Sequence, residues 1–201
     1  WLTGLLGDPA CADRLELIAF NALPATFSPD WWAHQYVQQV NQVECSIREN
    51  RLWNTNGPDA NIYGLEPNFG CCTANLSQGW PKFAAHLWMR TQSNGIAATA
   101  YAPSRLATEI DGVAVTVELQ TDYPFRQDLQ FTVSVGAPLR FPLLLRIPAW
   151  AHDAQITIDG RTDRIQNSGT FLTVERRWQG TTGIHLSLPM APRIVPRPNG
   201  A

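Results

Sequence analysis

The spacing of apolar residues changes period once along the chain, near residue 95. Before that point it is helical. Asp8-Pro9 predicts a helix start, with Asp as N-cap and Pro at the first helical position. Leu15, Ile18, Ala19 and Ala22 then follow at i, i+3, i+4 and i+7, and Pro24 ends the run. A second helix is predicted from Leu76, Trp80, Phe83, Ala84, Leu87 and Trp88, which share one face. Thr73 or Asn75 can cap it, Pro81 kinks it or marks a late restart, and Gly95 closes the segment.

After Gly95 the period becomes two. Val113, Val115, Val117 and Leu119 alternate with polar residues, as do Leu129, Phe131, Val133 and Val135. Phe141, Leu143, Leu145 and Ile147 repeat the pattern. Ile156 and Ile158 lead into Asp159-Gly160, a hairpin signal. Leu172 and Val174, then Ile184, Leu186 and Leu188, complete the set. Short strands at this spacing without intervening helices predict an antiparallel β-sandwich. The expected organisation is α+β, with a helical piece over 1–94 and a β-sandwich domain over 95–201.

Composition narrows the function classes. A hydrophobic fraction of 44% and a charged fraction of 16% describe an ordinary globular chain of 201 residues. The net charge is -2 with both signs scattered, which gives no reason to expect nucleic acid or an anionic membrane as partner. No apolar run approaches the roughly 20 residues of a membrane helix. The opening Trp1-Leu2-Thr3-Gly4 has neither an initiator Met nor the features of a signal peptide. It predicts a piece of a longer chain and leaves localisation, cytoplasmic or secreted, undetermined.

Candidate chemistry gathers between the two predicted helices. The polar stretch from Ser28 to Gly70 holds Trp31-Trp32, His34-Gln35-Tyr36 and a run of amides from Gln38 to Gln42. Long irregular segments inside compact domains are usually functional or mobile. Amides, aromatics and a His are also what a sugar pocket needs, although a loop wrapping another domain would look similar. The eight Trp, eight Phe and four Tyr fit either bulky cores or saccharide stacking.

Four cysteines are present, at positions 11, 45, 71 and 72. Cys11 sits in the first amphipathic helix and reads as a packed apolar residue. Cys45 has no ligand-type spacing. Cys71-Cys72 follows Phe69-Gly70 and precedes a helix, where free N–H groups favour an anion such as a thiolate and Gly70 allows close approach of a ligand. Thiolates bind Zn²⁺ or attack electrophilic carbon. A structural role for the pair remains open at this point, and two sulfurs cannot complete a four-ligand zinc site.

The stretch Gly64-Leu65-Glu66-Pro67-Asn68-Phe69-Gly70-Cys71-Cys72-Thr73-Ala74-Asn75 resembles the FGCC-x-x-N element of the β-L-arabinofuranosidases, glycoside hydrolase family 127 and its relatives. Ala12-Asp13-Arg14-Leu15-Glu16 and Phe20-Asn21-Ala22-Leu23-Pro24 are similar to the helix before that family's pocket loop. Thr121-Asp122-Tyr123-Pro124, Leu145-Arg146-Ile147-Pro148-Ala149-Trp150 and Leu188-Pro189-Met190-Ala191-Pro192-Arg193 are similar to its sandwich domain.

The resemblance implies the C-terminal part of an (α/α)₆ catalytic barrel followed by a β-sandwich. It implies a retaining glycosidase that acts on a non-reducing-end sugar, such as a β-L-arabinofuranoside, through a zinc-bound cysteine. By position Cys71 is the nucleophile, and Cys71 and Cys72 are both Zn²⁺ ligands. Tyr36, and with it His34, falls where the sugar is contacted. The remaining Glu and Cys ligands, the acid/base Glu and the N-terminal part of the barrel are expected upstream of Trp1. The chain by itself is then expected to be inactive. Glu44 and Glu66 are nearby carboxylates to which no motif assigns a role. Thr73-Ala74 departs from the Pro-containing residues common after the pair, which points to a divergent branch. A noncatalytic carbohydrate-binding protein and a structural zinc site are the alternative readings.

Overall fold

The computed structural model describes residues 2–38, 45–49, 56–64, 70–192, 194 and 196. Their contacts divide them into two compact units, one of residues 14–86 and the other of residues 1–13 with 87–201.

The second of these units is a β-sandwich of two sheets. Its strands are β1 (Trp88–Arg90), β2 (Ile96–Ala98), β3 (Ser104–Ile110), β4 (Val113–Thr121) and β5 (Asp128–Val135), then β6 (Leu139–Ile147), β7 (Gln155–Ile158), β8 (Arg161–Arg164), β9 (Thr170–Trp178) and β10 (Thr181–Ser187). One sheet runs β1-β2-β6-β9 and the other β3-β4-β5-β10-β7-β8. The alternation read from the sequence is the burial pattern found. Val115, Val117 and Leu119 of β4, Leu129, Phe131 and Val133 of β5, Leu143 and Leu145 of β6, and Ile184 and Leu186 of β10 are all buried. Trp88 and Tyr101 pack edge-on against Phe131. Trp178 is buried and stacks on Phe141, and its indole N–H donates to the Phe141 carbonyl at 2.9 Å, so the largest apolar side chain leaves no polar atom unpaired.

Three features depart from the expected sandwich. The pairing is antiparallel except between β2 and β6, where Ile96–Ala98 run parallel to Leu143–Leu145. The sheet already begins at Trp88, whose neighbours Met89 and Arg90 pair with Ala97 and Ile96. Gly95 therefore closes a strand turn, not a helix: Thr91 N–H donates to the Gly95 carbonyl at 3.0 Å and Gly95 N–H to Thr91 Oγ1 at 2.9 Å. The Asp159-Gly160 hairpin is present, with both residues at positive φ (51° and 77°), the conformation of a tight two-residue turn. Asp111-Gly112 makes the same turn between β3 and β4.

The helical residues are α1 (Leu2–Leu6), α2 (Pro9–Leu17), a π-helical turn over Ile18–Ala22, α3 (Leu23–Ala25), α4 (Gly70–Leu76) and α5 (Gly79–Ala84). Asp8 caps α2 as expected, accepting from the Ala10 N–H at 2.9 Å. The buried positions are Ala12, Glu16 and Ala19, whereas Ile18 and Ala22 of the anticipated face are exposed. The wider π turn rotates the apolar stripe, so a strict 3.6-residue spacing misplaces it. The second predicted helix is two short ones: Ser77-Gln78 break it, and Pro81 sits in the first turn of α5.

Candidate functional site

The described residues between Ser28 and Gly70 form no regular element beyond isolated bridges. What orders them is a set of side chains. His34 is buried and its backbone bridges both Phe27 and Gly64; the His34–Gly64 hydrogen bonds are 3.0 Å in each direction. Its ring Nε2 lies 3.1 Å from Thr73 Oγ1. Gln35 is also buried and donates through Nε2 to the Asn61 carbonyl at 3.1 Å, which the Cys45 thiol also reaches at 2.9 Å. Tyr36 is half-buried. Gln38 Nε2 anchors the far end of the segment to the Ala22 carbonyl (2.7 Å) and Thr26 Oγ1 (2.9 Å).

Cys71 and Cys72 are the second and third residues of α4, immediately after Gly70. Cys71 is exposed, Cys72 half-buried, and neither is in a disulfide. Their sulfurs are 3.6 Å apart. Zn–S bonds of about 2.3 Å at tetrahedral angles put two sulfurs about 3.8 Å apart, so the pair fits two corners of a zinc site without rearrangement. Among the described residues no group of three or more His, Cys, Asp or Glu could hold a metal ion. Two sulfurs are half of the four donors that a zinc ion takes. Asn75 Nδ2 donates to the Cys71 carbonyl at 2.6 Å, which makes the Asn of the motif a brace for the backbone that carries the first thiol.

Of the sequence-predicted residues, His34 is thus brought onto the helix of the cysteine pair through Thr73. That partner was not anticipated: Thr73 reads from the sequence as a cap, and nothing local links it to a residue 39 positions earlier. Glu44 and Glu66 lie outside the described residues. Trp31 and Trp32 occupy a tight turn in which Trp31 has φ 65° and stacks on Phe27, while Trp32 is 75% exposed. Asp30 organises this turn. The Ser28 hydroxyl, and then the Trp32 N–H, donate to its carboxylate and hold its pKa below the usual 3.8.

Residues 95–190 match the family described as β-L-arabinofuranosidase, GH127 middle domain. No curated protein matches the chain. Among solved structures, a protein named as a glycoside hydrolase superposes with a TM-score of 0.78 at 19% identity, over 94% of this chain and 30% of its own. A GH127 β-L-arabinofuranosidase from Geobacillus stearothermophilus T6 gives 0.72 at 24% identity, over 98% and 31%. A GH127 β-arabinofuranosidase gives 0.74 at 20% identity, over 99% and 31%. The likeness to these structures is one of fold, and the chain spans about a third of their length. No helix among the described residues is long and apolar enough to cross a membrane. Residues 95–190, just under half of the chain, are thus similar to the middle domain of the GH127 β-L-arabinofuranosidases.

Proposed function

We propose that this chain is part of a retaining glycoside hydrolase that acts on a non-reducing-end, β-L-arabinofuranoside-like sugar with Cys71 as nucleophile. The observation that carries the reading is the pair of thiols on α4, 3.6 Å apart and not in a disulfide, on a helix whose Thr73 meets the buried His34. The match of residues 95–190 to the middle domain of a glycosidase family supports the substrate class. In this reading the helices before the sandwich are the end of an (α/α)₆ barrel whose N-terminal part precedes Trp1.

Cys71 and Cys72 would hold Zn²⁺ together with a Glu and a third Cys from the missing part. A bound Zn²⁺ keeps a thiol ionised at neutral pH and fixes its direction. The Cys71 thiolate attacks the anomeric carbon and its electron pair forms the S–C bond. The bond to the glycosidic oxygen breaks at the same time, and a carboxylic acid outside this chain protonates that oxygen. Water, deprotonated by the same group, then displaces the sulfur, so two inversions retain the anomeric configuration. In this reading His34 and Tyr36 would hold sugar hydroxyls.

The test is Cys71→Ser in the full-length protein. Loss of turnover with sugar binding retained is expected, because the hydroxyl keeps the shape of the site and loses the soft nucleophile. Surviving turnover would overturn the assignment. Unfolding on substitution, with loss of metal, would instead mark the pair as a structural zinc site.

A further inference from the structure

The outward face of the six-stranded sheet carries two adjoining depressions of about 380 and 490 Å³ that share Gln120 and Thr121. Each is of the size that small-molecule sites occupy, about 300–1,000 Å³. The side chains on their floor come from neighbouring strands in register. Gln120 of β4 stands opposite Gln130 of β5, and Gln130 stands opposite His185 of β10. All three alternate with buried residues (Leu119, Leu129, Phe131, Ile184 and Leu186) and so face away from the core. With strands about 4.8 Å apart, they make a row about 10 Å long, the span of a disaccharide.

The rest of the groove fixes and frames that row. His185 Nε2 is 3.0 Å from Asp128 Oδ1, which orients the ring. Arg105 and Glu118, opposite each other on β3 and β4, line the adjoining depression. The turn between β4 and β5 contributes Asp122 and Arg126, and it is closed by N–H groups of Phe125 and Arg126 donating to the Asp122 carbonyl at 2.8 and 3.2 Å. The same turn displays Phe125, 86% exposed.

We propose that this groove binds a neutral oligosaccharide, with Gln120, Gln130 and His185 taking its hydroxyls and Phe125 stacking on a ring. Primary amides donate and accept at once, as a hydroxyl-rich ligand requires. Acidic and basic side chains are interspersed along the groove, so neither an anion nor a cation finds a field of one sign. A bare aromatic beside such a row matches the apolar C–H face of a sugar. The proposal is independent of the role given to Cys71.

The experiment is an NMR titration of the nitrogen-labelled 201-residue chain with arabinotetraose and, separately, xylotetraose. Amide shifts on β4, β5 and β10 around the groove are expected with at least one sugar. Phe125→Ala and Gln130→Ala, both at exposed positions, should each weaken that binding by about fivefold or more while the remaining spectrum is unchanged. The chain carrying Cys71→Ser should bind as before, which separates this site from the catalytic reading. The proposal is overturned if no groove amide moves with either sugar up to its solubility, or if the shifts persist undiminished in both variants.

Discussion

Arg146 lies on the face of β6 opposite Leu145 and Ile147, where a period of two predicts exposure, yet it is fully buried. Two hydrogen bonds and an aromatic ring hold it. Its guanidinium donates to the Thr99 carbonyl at 2.7 Å through Nε and to Asp13 through Nη1, and it lies over the Tyr101 ring at 5.5 Å. Asp13 spends its second carboxylate oxygen on the Ala149 N–H at 2.9 Å. The residue that makes the burial tolerable is therefore 133 positions away, at the far end of the chain. Alternation along a strand reports which face a residue is on, but not that a distant helix covers the outer face. Removing one partner of a buried ion pair leaves the other charge without compensation. Asp13→Ala is expected to destabilise the β unit by about 3 kcal/mol, measured as a lower urea midpoint at unchanged slope. A loss no larger than an ordinary surface substitution would show that the other contacts of Arg146 suffice.

Among elements, the ones legible in the sequence are those long enough to repeat a period. Strands β4, β5 and β6 each bury three or four apolar residues on one face and β10 buries two, and their centres fall where alternation sets them. The three-residue strands β1 and β2 offer no repeat, and all of β2 is buried, so nothing alternates. β8 is exposed throughout and holds its place by pairing alone. Two glycines separate local from tertiary demands. At Gly160 an added Cβ would meet nothing within 4 Å, so Gly160→Ala carries only the left-handed backbone cost, about 1 kcal/mol. At Gly95 the same Cβ would lie 2.4 Å from the Pro142 carbonyl oxygen and 2.6 Å from its ring. Pro142 belongs to β6, beside which β2 runs in parallel. Gly95→Ala must push that pairing apart and is expected to cost about 3 kcal/mol. Thermal melts of the two variants test the contrast. Equal losses would mean that the β1–β2 turn yields without strain.

At the scale of the whole molecule, the sandwich strands form two sheets within this chain, whereas the zinc site proposed for the cysteine pair would draw on residues outside it. The motif around Cys71-Cys72 was readable because its residues are consecutive. Its bond to His34 was not, since loop geometry brings that residue in from outside the motif. Further ligands, where the proposed reading puts them outside these residues, cannot be read from this sequence, and the chain spans about a third of the solved structures it resembles. A complete structural zinc site is worth about 10–16 kcal/mol of binding free energy, and that depends on four ligands being held at once. Two thiolates at a suitable 3.6 Å spacing supply only part of it and leave the remaining positions to water. The 201-residue chain should therefore yield its zinc to a chromophoric chelator that the full-length protein resists. Whatever binding remains should vanish with either Cys71→Ser or Cys72→Ser, since one thiolate has no chelating partner. One tightly held equivalent in the 201-residue chain would overturn this division. It would place the missing donors within these residues, with Glu66, five positions before Cys71, the first to substitute.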